Sequence, residues 1–168
     1  MRVRHPVVRG HPLHAMVSDL PAAFILAALA ATIAERARPS PQRRHTSTAC
    51  TALALGSAVV AGSIGWWDWV TIPNEHPAKA PATRHGLINT AGVGVGAIAL
   101  LLPRRRLELL VGLSAAVLVA AWIGGDLVYR IGWRVRPAEE LELIDQGTPR
   151  DEARAIVDKH ERDDLLFP

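Results

Sequence analysis

Gly10-His11-Pro12-Leu13-His14 stands at the mouth of a long apolar run and is followed almost at once by Asp19-Leu20-Pro21. Two imidazoles and a carboxylate beside hydrocarbon are costly, and by default they mark a functional site whose partners lie elsewhere in the chain. Matching residues recur where three further apolar runs begin or end. Asp68 closes Gly65-Trp66-Trp67-Asp68-Trp69, His85 and Asn89 open the next run, and Asp126, Tyr129 and Arg130 follow Gly124-Gly125 at the end of the last. His85 with Asn89, and Asp126 with Arg130, are four apart, a spacing at which side chains share one helical face. Imidazoles in such a set can ligate a metal or a haem iron, while carboxylates can orient them or pair with cations.

The elements that must position these groups are read from the uncharged runs Leu20–Ala34, Thr46–Trp67, Gly86–Pro103 and Leu109–Gly125, of 15, 22, 18 and 17 residues, the first extendable across Asp19 to Met16. Runs of this length match the roughly 17–25 residues that cross a bilayer as a helix. A soluble bundle built from them would have no polar face. The chain has 168 residues, is 49% hydrophobic and has a mean hydropathy of +0.16. An all-α fold follows: a four-helix transmembrane bundle over residues 1–136, with a short, polar, helical C-terminal tail over 137–168. His11, His14 and Asp19 interrupt the place where the plain apolar segment of a signal peptide would begin. Cys50 is the sole cysteine, which excludes an internal disulfide and any paired-cysteine motif.

Helix 1 is expected to start near Leu13 or His14 and to kink where Pro21 denies a hydrogen bond to the carbonyl of Val17. Glu35 to His45 reads as a loop, and helix 2 runs from about Thr46 to Trp69 with Gly56, Gly62 and Gly65 as close-approach positions. Helix 3 begins at Arg84, with Gly92 and Gly96 continuing the His85/Asn89 face as a groove. Helix 4 covers about Leu107–Tyr129. In the tail, Ala138–Gln146 and Pro149–His160 read as two helices, the second with Thr148 as N-cap. The tail reads as a surface appendage or a docking element, with the plain appendage favoured because few apolar residues recur at helical spacing.

With four spans in alternating direction, His5, His11, His14, Asp19, Asp68, His76, His85, Asn89, Asp126 and Tyr129 gather on one side, termed side A. The opposite side B carries arginine-rich loops. Residues 1–136 hold 15 Lys and Arg against 6 acids, whereas the tail holds 4 against 10. The basic residues flank the spans, where lipid headgroups account for them without nucleic acid. Side B concentrates its charge in two short loops, which places it on the cytoplasmic side by the positive-inside tendency.

Three chemistries are open at side A. His14 and His85 could hold haem b between parallel helices, with His11 and Asn89 beside them and the glycine face of helix 3 admitting the macrocycle. His11, His14 and His85 with an aspartate could instead hold zinc, copper or iron. A proton path is the third, although side B offers no histidine or acid within the membrane to complete it. The bland alternative is a pair of interfacial histidines hydrogen-bonded to Asp68 and Asp126, with Asp19, Tyr129 and Arg130 as supporting polar groups. The tryptophans are expected to be interfacial anchors.

Taken in order, Gly10-His11-Pro12-Leu13-His14, Asp19-Leu20-Pro21, Trp67-Asp68-Trp69 with Ile72-Pro73, Arg84-His85 with Asn89, and Gly124-Gly125-Asp126-Leu127-Val128-Tyr129 resemble the bacterial four-span membrane proteins of domain of unknown function 2231. The resemblance covers about residues 8–136. It implies a multi-pass cell-membrane protein and, since some relatives carry a Rieske-type iron-sulfur domain after the last span, a place near electron transfer. This tail has no cysteine, so an iron-sulfur or other redox partner would be a separate protein. Asp19 stands where relatives carry histidine, so no ligand role is assigned to it. The expectation is a redox-associated, haem-binding membrane protein with the lipid bilayer as its surroundings, not a stand-alone enzyme. The competing class is a structural or partner-binding membrane subunit.

Overall fold

The computed structural model describes residues 6–8, 11–133 and 135–167; His5 and Gly10 of the expected side A segment lie outside them. Two short strands, β1 (Val7–Val8) and β2 (His11–Pro12), pair antiparallel and lead into α1 (Leu13–Val17). The first amide of α1 donates to the Pro6 carbonyl at 2.9 Å, so the arm caps the helix. α2 (Asp19–Ala37) follows after one residue, Ser18. The break falls where Pro21 removes the partner of the Val17 carbonyl, one turn inside the helix start.

α3 (Pro41–Val70) begins five residues earlier than its uncharged run. Ser40 is its N-cap, accepting from the Arg43 amide at 3.2 Å, and Pro41 sits at the first helical position, where a missing N–H costs nothing. Arg43, Arg44 and His45 therefore belong to a helix rather than to a loop. α4 (Lys79–Leu101) likewise starts ahead of Arg84. A 3-10 turn at Pro103–Arg105 leads into α5 (Arg106–Gly125), which continues as one π-helical turn, Asp126–Arg130. α6 (Arg136–Asp145) and α7 (Arg150–Asp164) complete the helices.

α2 packs on α3, α3 on α4, α4 on α5, and α5 back on α2, closing an antiparallel four-helix ring. Its core is Ile25 and Ala28 of α2, Ala54 of α3, and Leu110 and Leu113 of α5, with Phe24, Cys50, Val95 and Val117 against it. Small residues at these positions bring helices close, as in lipid-embedded bundles. The outer surface is apolar: Leu101 is 77% exposed, Leu118 73% and Trp122 77%. Water would not tolerate that surface in a monomer, whereas lipid does.

Leu13–Ala37, Pro41–Val70 and Pro103–Arg130 are long and apolar enough to cross a membrane. Of the four spans expected, these three meet that length and apolarity among the described residues. α4 belongs to the same ring, but Lys79, Arg84, His85 and Asn89 occupy its first three turns and three glycines, Gly92, Gly94 and Gly96, dilute the rest.

In the tail, α6 and α7 pack on each other, with Ala153 and Val157, one turn apart, fully buried. β3 (Leu165–Phe167) pairs parallel with β1, which ties the tail to the arm that leads into α1. The plain-appendage expectation missed this because two small residues are enough to bury one face of a short charged helix.

Candidate functional site: an imidazole pair seated on main chain

Side A brings His14 and His85 together. Their ring centroids are 6.3 Å apart and their planes nearly perpendicular, at 83°. Each ring is held by the main chain of a neighbouring helix. His14 Nδ1 donates to the Ala61 carbonyl of α3 at 3.1 Å, and His85 Nδ1 donates to the Ala120 carbonyl of α5 at 2.8 Å. A carbonyl can only accept, so each Nδ1 carries the proton and each Nε2 is left with the lone pair of the neutral ring.

The two arrangements repeat one another in detail. Four residues beyond each accepting carbonyl stands a glycine with the imidazole against it. A Cβ on Gly65 would lie 2.8 Å from Cε1 of His14, and one on Gly124 would lie 3.2 Å from Cε1 of His85. A side chain at either glycine would crowd the ring that reaches the carbonyl one turn back. The local sequences agree: Ala61-Gly62-Ser63-Ile64-Gly65 and Ala120-Ala121-Trp122-Ile123-Gly124 share Ala-x-x-Ile-Gly. That match was legible without a structure. Its meaning was not, because the histidines it receives lie 47 and 35 residues away.

Beyond the seats the two rings differ. Asn89 Nδ2 donates to His85 Nε2 at 3.0 Å and to the His85 carbonyl at 3.0 Å, which completes the hydrogen bonding of that ring. Ser18 holds the corresponding place one turn after His14, and its hydroxyl donates to the Ala15 carbonyl at 3.1 Å. Among the described residues His14 Nε2 has no such partner.

The remaining expected site residues stand apart. His11 is exposed in β2, and Asp19 is exposed at the start of α2. Asp126 pairs with Arg130 at 3.1 Å across the π-helical turn, and Tyr129 is 91% exposed. Asp68 is half-buried at the end of α3, where its carbonyl accepts from the Thr71 hydroxyl at 2.7 Å. The histidines thus bond to carbonyls of Ala61 and Ala120, where the alternative reading had the carboxylates of Asp68 and Asp126. His76 belongs to the loop: its Nδ1 accepts from the Ala78 amide at 3.0 Å and its ring meets Trp133 edge-on. Among the described residues no three of His, Cys, Asp and Glu come together as a metal set, so the combination of His11, His14, His85 and an aspartate is not assembled.

The glycine groove of α4 is also filled. Leu113 packs against Gly92, and Leu55 with Leu113 against Gly96, so this face serves helix packing. Above it, α3 and α4 are joined by indole donors: Trp66 to Thr90 at 3.0 Å and Trp69 to Thr83 at 2.8 Å. The Trp66 ring lies over Gly86. Lys79 sits 3.6 Å over the Trp69 ring and donates to the carbonyls of Trp69 and Ile72. These tryptophans lock two helices together, which is more than interfacial anchoring; Trp67 and Trp122, 41% and 77% exposed, remain outward.

Side B holds a polar cluster that sequence reasoning did not isolate. Arg106, 1% exposed, donates from Nε to the Ala99 carbonyl at 3.2 Å and from Nη1 to the hydroxyls of Ser47 and Thr48 at 2.9 and 3.1 Å. Glu35 lies 3.8 Å from the same Nη1, and Thr32 bonds Ser47 at 2.9 Å. One guanidinium therefore links α2, α3, α4 and α5. In sequence it is the last of three identical arginines.

No family model matches this chain, and neither a curated protein nor a solved structure does.

Proposed function

We propose that this is a multi-pass membrane protein of four spans, α4 among them, whose paired imidazoles hold haem at the side A face as part of an electron-transfer chain. The observation that carries the reading is the doubled seat: two imidazoles, each oriented through Nδ1 by a main-chain carbonyl, 6.3 Å apart. Orientation of a ligating ring through its other nitrogen is what metal-binding histidines require. Two rings ligating one metal through bonds of about 2 Å have centroids about 6 Å apart.

The donor set favours haem over a bare ion. Zinc needs three or four protein ligands, and only two converge among the described residues. Haem iron draws its other four ligands from the macrocycle. When bound, haem would supply one-electron chemistry, and His14 and His85 would hold it. Asn89 is then a competitor for Nε2 of His85 rather than a ligand. The resemblance to the family of domain of unknown function 2231, with its occasional iron-sulfur fusions, supports a separate redox partner. Side B as the cytoplasmic face rests on the seven arginines near its two turns.

One observation favours a second reading, in which the imidazoles are interhelical clamps. His85 is fully hydrogen-bonded as it stands, and each ring joins two helices. Titration of the full chain in mild detergent with haemin separates the two. Saturation of the Soret change at one haem per chain supports the proposal. If no saturable change occurs, while His14→Ala and His85→Ala only lower the unfolding temperature, the clamp reading stands.

A further inference from the structure

We propose that side B is a binding surface for the phosphodiester headgroup of an anionic phospholipid, with the cleft at the α2–α3 turn as its seat. Two turns meet at this end of the bundle, as the Arg36 guanidinium shows by donating to the Arg104 carbonyl at 2.8 Å. They bring together Arg36, Arg38, Arg43, Arg44, Arg104, Arg105 and Arg106 with two carboxylates, Glu35 and Glu108. Both carboxylates are engaged: Glu108 by Arg36 at 3.0 Å, and Glu35 between Arg44 at 3.6 Å and Arg106 at 3.8 Å. Arg38, Arg43, Arg104 and Arg105 are exposed and form no salt bridge among the described residues. The face therefore carries a positive excess that the salt bridges among the described residues do not neutralise.

The position of this excess identifies its counter-charge. Ile33, Leu101, Leu102 and Val111, immediately inward of the arginines, are between 50% and 77% exposed. Apolar positions of that exposure face hydrocarbon, and cations bordering them lie at headgroup depth, where anionic lipid attracts each Lys or Arg by about 1 kcal/mol.

The cleft has a volume of about 560 Å³ and is lined by Pro39, Ser40, Pro41, Arg44, His45 and Thr48. No carboxylate lines it. The Ser40 hydroxyl accepts from the Arg43 amide, and the Thr48 hydroxyl accepts from the buried Arg106. Each hydroxyl keeps a proton to give beside the bond it accepts. Arg44, 76% exposed and 3.6 Å from Glu35, adds a cation. The cleft thus offers hydroxyl and guanidinium donors and no carboxylate, which suits a phosphodiester. Free phosphate shares that chemistry; the apolar border is what favours a lipid.

The test uses the full chain, delipidated in a nonionic detergent, with phosphatidylglycerol or phosphatidylcholine added in mixed micelles and inorganic phosphate as a third arm. Thermal unfolding and lipid retention in native mass spectra are read. Phosphatidylglycerol is expected to raise the unfolding midpoint and to be retained, with both effects falling as salt rises. Arg44→Gln combined with Thr48→Val should weaken retention at least about tenfold, the loss of one charge-assisted hydrogen bond. Arg84→Gln on side A should leave it unchanged. If the first variant aggregates, Arg104→Gln with Arg105→Gln, both exposed, carries the comparison. Equal stabilisation by phosphatidylcholine, or by inorganic phosphate at matched concentration, would overturn the proposal, as would unchanged retention in the folded side B variant.

Discussion

Replacing Gly65 by alanine tests whether the His14 imidazole is seated on the main chain of α3. The new Cβ would lie 2.8 Å from Cε1, 3.1 Å from Nδ1 and 3.3 Å from Nε2 of His14. A ring cannot yield as the end of a flexible chain does, so it must leave its seat. Overpacking of this kind costs about 1–3 kcal/mol. The bond from Nδ1 to the Ala61 carbonyl, worth about 1 kcal/mol, is lost with it. Against these stands the better helix propensity of alanine, about 1 kcal/mol. The net expectation is destabilisation by about 1–3 kcal/mol. Gly56 and Gly62 lie in the same helix with no atom within 4 Å of a built Cβ, so Gly56→Ala and Gly62→Ala keep only the propensity gain. Thermal unfolding of the purified protein in detergent reads the contrast, since 1 kcal/mol is worth about 2–4 °C at this size. Gly65→Ala should fall by several degrees while the other two hold or rise. Three variants that shift together would refute the seat.

Other substitutions probe the remaining contacts. Arg106→Met removes three hydrogen bonds from a buried network and leaves Glu35 with Arg44 alone; a loss of about 3–5 kcal/mol is expected in unfolding measurements. Arg106→Lys should recover little of it, because an ammonium cannot reproduce the planar fork that reaches α3 and α4 together. Asn89→Ala should cost about 1 kcal/mol of stability yet tighten haemin binding about fivefold, since it frees Nε2 of His85; weaker binding would make Asn89 a supporting group instead. In a Cys50→Ser background, a membrane-impermeant maleimide should label Glu75→Cys on intact cells and Arg105→Cys only after permeabilisation. The opposite pattern reverses the orientation.

The helices of this protein are written in its uncharged runs, and punctuation was readable where it acts locally. Pro21 marks the break at Ser18, and Pro149 the start of α7. Boundaries failed where polar residues sit inside a helix. Arg43, Arg44 and His45 read as loop, although Ser40-Pro41 ahead of them is a helix start. The histidines of the site were found because an imidazole beside hydrocarbon needs a reason. Their partners were not, because main-chain carbonyls carry no letter in a sequence; only the glycines that expose those carbonyls do. Arg106 was hidden for a different reason. Which of three consecutive arginines turns inward depends on the phase of the 3-10 turn before α5 and on hydroxyls some 60 residues away, at Ser47 and Thr48.

The central claim, that His14 and His85 jointly hold haem, meets its most direct test in the reduced-minus-oxidised absorption spectrum of membranes containing the full chain, expressed with ample haem. The wild type should show a Soret band and sharp visible bands of a six-coordinate haem. His14→Ala and His85→Ala should each abolish or shift them, and His45→Ala at side B should not. A wild-type spectrum without a Soret band, or one that survives both histidine substitutions unchanged, contradicts the claim.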